Sequence, residues 1–236
     1  MLSKYQIGPW NGLDFFDRWF YQSNFPKVSV YFINDGSQNN FHLEQTRFRS
    51  AEMYNYDLYP SDTNPFNYIW YIPITCRFSN VFNQFQTNVT FYLDQAQMNV
   101  SFGSESYDYY YCNADFAGYY IMDYTEENWQ NLAQALDNGN DQLTDLDRAN
   151  LVNDAMTIAQ TSNESYLVVR ELTPFFYRQD YTGLLAWQTL SYHVNRMLDL
   201  LEYESLYTSV QVKRISFFLS LMKNLLLISM NRNIFN

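Results

Sequence analysis

The chain has 236 residues, 47% of them hydrophobic and 19% aromatic, which supplies one large core or two ordinary ones and excludes disorder. Its 7 Gly and 6 Pro exclude collagen-like and low-complexity classes. A net charge of −11, with no run of Lys or Arg to track a phosphate backbone, excludes nucleic acid as a partner and reads as an aid to solubility.

The opening segment MLSKYQIGPWNGLDFFDRW is interrupted throughout by charged and polar residues, so no signal peptide is read and localisation stays open. Leu13, Phe16 and Phe20 fall at helical spacing, and Asn24-Phe25-Pro26 stops that helix, because a residue before proline avoids the α region. From Val28 the period becomes two. Val28, Val30 and Phe32 alternate with Ser29 and Tyr31 up to a turn at Asn34-Asp35-Gly36-Ser37. Further strands are expected over Phe41 to Phe48 and over Tyr68 to Phe78, where Trp70, Ile72, Ile74 and Cys76 share a face. Pro73, which has no N–H to donate, predicts an edge strand or a bulge in that run. Phe85, Thr87, Val89, Phe91 and Leu93 alternate with Gln86, Asn88, Thr90, Tyr92 and Asp94, and strands follow at Gln97 to Phe102, Tyr107 to Cys112 and Gly118 to Tyr124. Short strands without intervening helices predict an antiparallel β-sandwich over residues 27–124.

At Thr125 the period becomes helical. Trp129, Leu132, Ala133 and Leu136 form a stripe, with Glu126 and Glu127 in the first turn where they favour the helix dipole. The break from Asp137 to Asp141 reads as a solvated connection rather than a calcium loop, since its glycine stands third instead of sixth. Thr144-Asp145-Leu146-Asp147 resembles a capping box opening a helix with Leu151, Val152, Ala155, Ile158 and Ala159 on one stripe. Helices over Tyr166 to Tyr177 and Thr182 to Leu201 complete an α-helical domain, bundle or solenoid-like, over residues 125–236. Ile215 to Met230 is apolar nearly all round, but it is short for a bilayer span and carries Lys223 and Asn224, so a core helix is preferred. If the chain ends at Asn236, that helix lacks packing neighbours and self-association is expected.

Chemistry-bearing residues are sparse. Cys76 and Cys112 have no CxxC neighbour and read as separate buried thiols, with a disulfide across the sheet as the other reading. Asn88, Asn99 and Asn163 head N-glycosylation sequons, and alternation puts Asn88 on a solvent face. His42 and His193 stand alone, without the second histidine one helical turn away that a zinc peptidase needs, and read as structural. Asp14 with Asp17, and Asp145 with Asp147, read as partners of helix dipoles rather than as acid–base pairs. No catalytic, cofactor-binding or metal-binding residue is assigned.

Four segments carry a resemblance. Asp17-Arg18-Trp19 followed by Asn24-Phe25-Pro26-Lys27-Val28 is similar to a tryptophan-bearing helix leading into a GFPV turn, and Trp70-Tyr71-Ile72-Pro73-Ile74 to a W-x-I/V-P-I strand. The run Gly118 to Trp129 is similar to G-Y-Y-R-V-N-Y-D-x-x-N-W, with Ile121 where arginine is usual, and Arg148 to Ala155 matches R-A-x-x-x-N-D-A. In this order they resemble the β-sandwich and the start of the C-terminal helical domain of the M1 zinc aminopeptidases. The resemblance implies that residues 1–26 end a catalytic-domain helix and that the helical domain is truncated. It implies zinc in the parent family and a peptide substrate or the missing catalytic domain as partner. A membrane is met only through a parent protein. The family's HExxH and GxMEN elements have no counterpart here, so its functional residues are not carried over and the chain is expected to be inactive alone. The alternative is a free-standing peptide-, glycan- or protein-binding module, with Tyr109, Tyr110 and Tyr111 as candidate contacts.

Overall fold

A computed structural model describes residues 5–34, 39–49, 64–79, 85–102, 107–139, 142–159, 166–178 and 183–200. Asn163 and Ile215 to Met230 lie outside these residues. Sheets come first and helices follow.

A short hairpin of β1 (Gln6–Ile7) and β2 (Trp10–Asn11) leads into α1 (Gly12–Phe20). Asn11 caps α1, its Oδ1 accepting from Leu13 N at 2.8 Å. The expected stripe is only partly the packed one, because Leu13 and Phe20 are exposed. Arg18 and Trp19, which lie off that stripe, do the docking. Trp19 Nε1 donates to Tyr71 O at 3.1 Å, Arg18 Nη1 donates to Ile69 O at 3.1 Å, and the Arg18 guanidinium lies 4.1 Å from the Tyr71 ring centroid.

Strands β3 (Pro26–Asn34), β4 (Asn39–Arg47), β7 (Gln97–Phe102) and β9 (Ile121–Tyr124) form one sheet in the order β7-β4-β3-β9. Strands β5 (Ile72–Ser79), β6 (Phe85–Leu93) and β8 (Tyr109–Cys112) form another in the order β6-β5-β8. Alternation explains the core between them. Val28, Val30, Phe41 and Leu43 from the first sheet and Ile72, Ile74, Cys76 and Phe78 from the second are all buried, and Trp70 just before β5 joins them. Phe41 sits at the centre, its ring 5.4 Å from Phe78, 5.8 Å from Phe91 and 4.8 Å from Tyr110.

Two expectations are corrected. The sheets are not wholly antiparallel, because β9 runs parallel to β3 in the register Lys27↔Ile121 to Val30↔Tyr124. Parallel neighbours need a long crossover, and all of β4 to β8 intervenes. Pro73 also lies in the central strand of its sheet rather than at an edge, and the irregularity in that run falls between Arg77 and Ser79, away from the proline. It is tolerated because β8 pairs β5 only from Cys76 to Ser79, leaving Pro73 with β6 alone on one side, opposite Tyr92. On its other side Tyr120 Oη donates to Pro73 O at 3.3 Å.

The helices are α2 (Glu126–Asp137), α3 (Asp145–Ala159), α4 (Tyr166–Leu172) and α5 (Leu184–Leu200). Thr125 caps α2 by accepting from Asn128 N, and Trp129, Leu132, Ala133 and Leu136 are buried. The Thr144–Asp147 box closes in both directions. Asp147 N donates to Thr144 Oγ1 at 3.1 Å and Thr144 N donates to Asp147 Oδ2 at 2.9 Å. The helix expected through Tyr177 stops at Leu172, and a 3-10 turn follows over Pro174–Tyr177 that buries Phe175 and Phe176. Among the described residues no helix is long and apolar enough to cross a membrane.

Cys76 and Cys112, directly opposed in the β5–β8 register and both fully buried, form a disulfide. The reading as separate thiols gives way because antiparallel pairing sets the two side chains on one face of neighbouring strands. The bridge closes a loop of sequence separation 36, so removing it frees the unfolded chain. The double variant Cys76→Ala, Cys112→Ala is expected to lose about 2–4 kcal/mol in urea unfolding, and reductant is expected to destabilise the wild type but not the variant.

Candidate functional site

The polar chemistry gathers where the sheets meet the helices. β8 ends its sheet, so the outward N–H and C=O groups of Tyr110 and Cys112 have no strand to pair with, and both residues are buried. Side chains replace the strand. Asn128 Oδ1 accepts from Tyr110 N at 3.0 Å, and its Nδ2 donates to Tyr110 O at 2.9 Å. Tyr124 Oη accepts from Cys112 N at 2.9 Å and donates to Cys112 O at 3.2 Å.

The turn after β8 needs similar support. Asn113, Asp115 and Phe116 have φ of 62°, 59° and 51°, a left-handed conformation that costs energy at residues other than glycine. Asn113 closes the turn, its Oδ1 accepting from Gly118 N at 2.8 Å and its Nδ2 donating to Gly118 O at 3.0 Å. A Cβ at Gly118 would collide with the Tyr120 ring, so glycine is required there.

One face of α3 serves this region with Asp147, Asn150 and Asp154, spaced i, i+3 and i+7 and all buried. Asp147 Oδ2 accepts from Arg77 Nη1 at 2.9 Å and Asp147 Oδ1 from Asp115 N at 2.9 Å. Arg77 Nη2 donates to Asp115 Oδ2 at 2.7 Å, so one guanidinium joins β5, the turn and α3. Asn150 Nδ2 donates to Tyr111 Oη at 3.2 Å, and Tyr111 Oη donates to Asn113 O at 3.2 Å. Asp154 Oδ2 accepts from Met122 N at 3.1 Å, tying α3 to β9. Burial raises the Asp154 carboxyl well above the ordinary aspartate range, against the lowering effect of the Met122 and Asn153 hydrogen bonds.

A cleft of about 440 Å³ opens beside this joint, lined in part by Phe25, Phe48, Tyr119, Tyr192, His193 and Arg196. His193 is buried, and its Nε2 pairs with Asn153 Oδ1 at 3.1 Å. Burial, with Arg196 nearby, pushes its pKa down to about 4, so the ring is neutral at pH 7.

The anticipated residues separate. His42 is on β4, its Nδ1 paired with Asn99 Oδ1 at 2.7 Å, while His193 is on α5. Both cysteines are oxidised, and among the described residues no group of three His, Cys, Asp or Glu forms a metal cluster. This donor set does not fit zinc. Asp145 Oδ2 accepts from Leu185 N at 2.9 Å, joining α3 to α5, and Asp147 is the buried partner of Arg77. Tyr109, Tyr110 and Tyr111 are all buried, which removes them as surface contacts, because β8 faces the first sheet on one side, where Tyr110 meets Phe41 and Val30, and the helices on the other, where Tyr111 meets Asn150. Asn99 is exposed on β7, and Asn88 stands in β6 opposite Arg77. The polar row on α3 escaped the sequence reading, although its i, i+3, i+7 spacing was visible.

A family model described as the ERAP1-like C-terminal domain matches residues 109–231, beginning at the first residue of β8. The chain belongs to this family. Aminopeptidase Ey of Gallus gallus is 28% identical over 173 residues, covering 73% of this chain and 16% of that protein. Aminopeptidase N of Oryctolagus cuniculus is 28% identical over 179 residues, covering 74% and 17% respectively. Endoplasmic reticulum aminopeptidase 1 of Mus musculus is 23% identical over 201 residues, covering 83% and 20%. The resemblance to M1 aminopeptidases therefore holds over most of the chain, which spans a fifth or less of these relatives' length.

Two outcomes follow for this ERAP1-like domain. Asn128→Leu leaves two buried backbone groups of Tyr110 unpaired, at roughly 1–3 kcal/mol per group, and Asp147→Ala takes the buried acceptor from Arg77, which keeps Asp115, and from the N–H groups of Asp115 and Thr144, at about 2–4 kcal/mol in all. Urea unfolding is expected to show both losses, and exposed Gln130→Ala none. The pH dependence has two limbs. An unfolded histidine protonates near 6.5 while His193 resists to about 4, so stability falls as pH drops through that window. For Asp154 the sign reverses, since the folded chain keeps a proton that the unfolded chain releases, and stability falls as pH rises above the ordinary aspartate range. His193→Gln is expected to flatten the first limb and Asp154→Asn the second in unfolding curves measured across pH.

Proposed function

We propose that this chain is a non-catalytic part of an M1-type zinc aminopeptidase. Its sheets and first helices act as a scaffold that helps enclose the peptide being trimmed. The observation that carries this reading is the buried row Asp147, Asn150 and Asp154, through which α3 grips β5, the Asn113–Gly118 turn and β9. Such a grip fixes the angle at which the helices leave the sheets, which an enclosing wall requires. The two parts are taken as domains, a sandwich over residues 27–124 and helices from Thr125. Residues 1–26 are the end of a preceding catalytic-domain helix. Zinc belongs to the parent enzyme, and the partner is the rest of that enzyme or its peptide.

The second reading, a free-standing binding module, is favoured by the aromatic cleft with Arg196 at its rim rather than by the buried tyrosines. Purified chain supplied with zinc is expected to release no amino acid from aminoacyl-fluorophore substrates. Zinc-dependent turnover would refute the proposal. Saturable peptide binding lost in Arg196→Ala would transfer support to the binding module.

A further inference from the structure

The outer face of the first sheet carries a row across three strands. Tyr31 on β3 pairs in register with His42 on β4, and His42 pairs with Asn99 on β7. The Tyr31 and His42 rings lie 5.9 Å apart, and Tyr31 is exposed. β7 ends its sheet, and Asn99, exposed on that edge, heads the sequence Asn99-Val100-Ser101. Its carboxamide is engaged on one side only. Oδ1 accepts from His42 Nδ1 at 2.7 Å, while no hydrogen bond forms at Nδ2 among the described residues.

We infer that Asn99 is an N-glycosylation site of the folded protein. Nδ2 of Asn99 forms a bond to the anomeric carbon of a polyprenyl-pyrophosphate-linked oligosaccharide. The carbon–oxygen bond to the pyrophosphate breaks, the lipid pyrophosphate leaves with the electron pair, and Nδ2 gives up one of its two protons to solvent. The other proton stays, and Oδ1 keeps its acceptor role, so the His42 hydrogen bond survives and orients the first sugar over the His42–Tyr31 row.

Two independent features agree with this. The buried Cys76–Cys112 disulfide requires an oxidising folding compartment, the kind in which such transfer occurs. Among the described residues no strand pairs with the outer side of β7, an edge that would template strand addition from another chain, and a glycan at mid-strand blocks that approach. Asn163 lies outside the described residues. The inference stands whether or not the chain is part of a peptidase.

The full chain would be translated behind a secretory leader into microsomes, with a second copy carrying a sequon in an appended flexible tail as a transfer control. Peptide mapping after amidase deglycosylation is expected to find Asn99 converted to aspartate. Ser101→Ala is expected to abolish that occupancy while leaving the disulfide intact. An unmodified Asn99 peptide from molecules whose tail sequon is glycosylated would overturn the assignment, as would a glycan at Asn99 that persists in Ser101→Ala.

Discussion

The structure turns on the free edge of β8. A buried strand at the end of its sheet has one side of its backbone paired and the other side facing protein, where water is not there to satisfy it. Tyr110 and Cys112 present four such groups, and the chain answers with two side chains, Asn128 and Tyr124. Each supplies one donor and one acceptor, the same complement that a neighbouring strand residue would offer. Because Tyr124 ends β9 and Asn128 lies in the first turn of α2, satisfying β8 places the start of the helices in one position only. Trp129 then packs its ring edge-on against Tyr124 at 4.9 Å, closing the corner with apolar surface.

From that corner α3 extends the same solution. A helix buried nearly all round would be simplest as a purely apolar one, yet α3 places two carboxylates and an amide against the sheets. Burying Asp147 is costly unless its partners are complete, and they are: one guanidinium, two backbone N–H groups and the Thr144 hydroxyl. What the arrangement gains is direction. Apolar contact tolerates sliding, whereas a carboxylate gripping Arg77 and the left-handed Asp115 fixes both rotation and height of the helix.

Much of this fold was legible in the sequence, and the misses share a cause. Two-residue alternation located the core faces of β3, β5 and β6, and the period switch at Thr125 and the Thr144 box announced α2 and α3, because those signals are local. The parallel β3–β9 pair was not legible, since pairing across 94 positions leaves no local mark. Tyr109 to Tyr111 misled for a related reason. Alternation assigns half of a strand to solvent, but β8 has a sheet on one face and helices on the other, and tyrosine suits both because its hydroxyl finds a partner inside. On α3 the apolar stripe through Leu151 and Ala155 was readable. The row of Asp147, Asn150 and Asp154 was not, because Asp147 read as a helix-dipole partner and the Arg77 and Met122 partners lie far away in sequence.

The residues that carry the family resemblance spend their chemistry on the backbone. Gly118 makes room for a ring, Tyr124 and Asn128 complete a strand edge, and Asp154 holds the Met122 N–H. A motif of this kind identifies how two layers are joined. The family match beginning at Tyr109, rather than at the helical switch of Thr125, follows from the same physics. β8 and β9 belong to the sheets by pairing, but the bonds that complete them come from α2, from α3 and from the Tyr124 corner that leads into the helices. A helical unit cut away at Thr125 would take Asn128 from Tyr110 and Asn150 from Tyr111, so the smallest unit that keeps these hydrogen bonds includes β8.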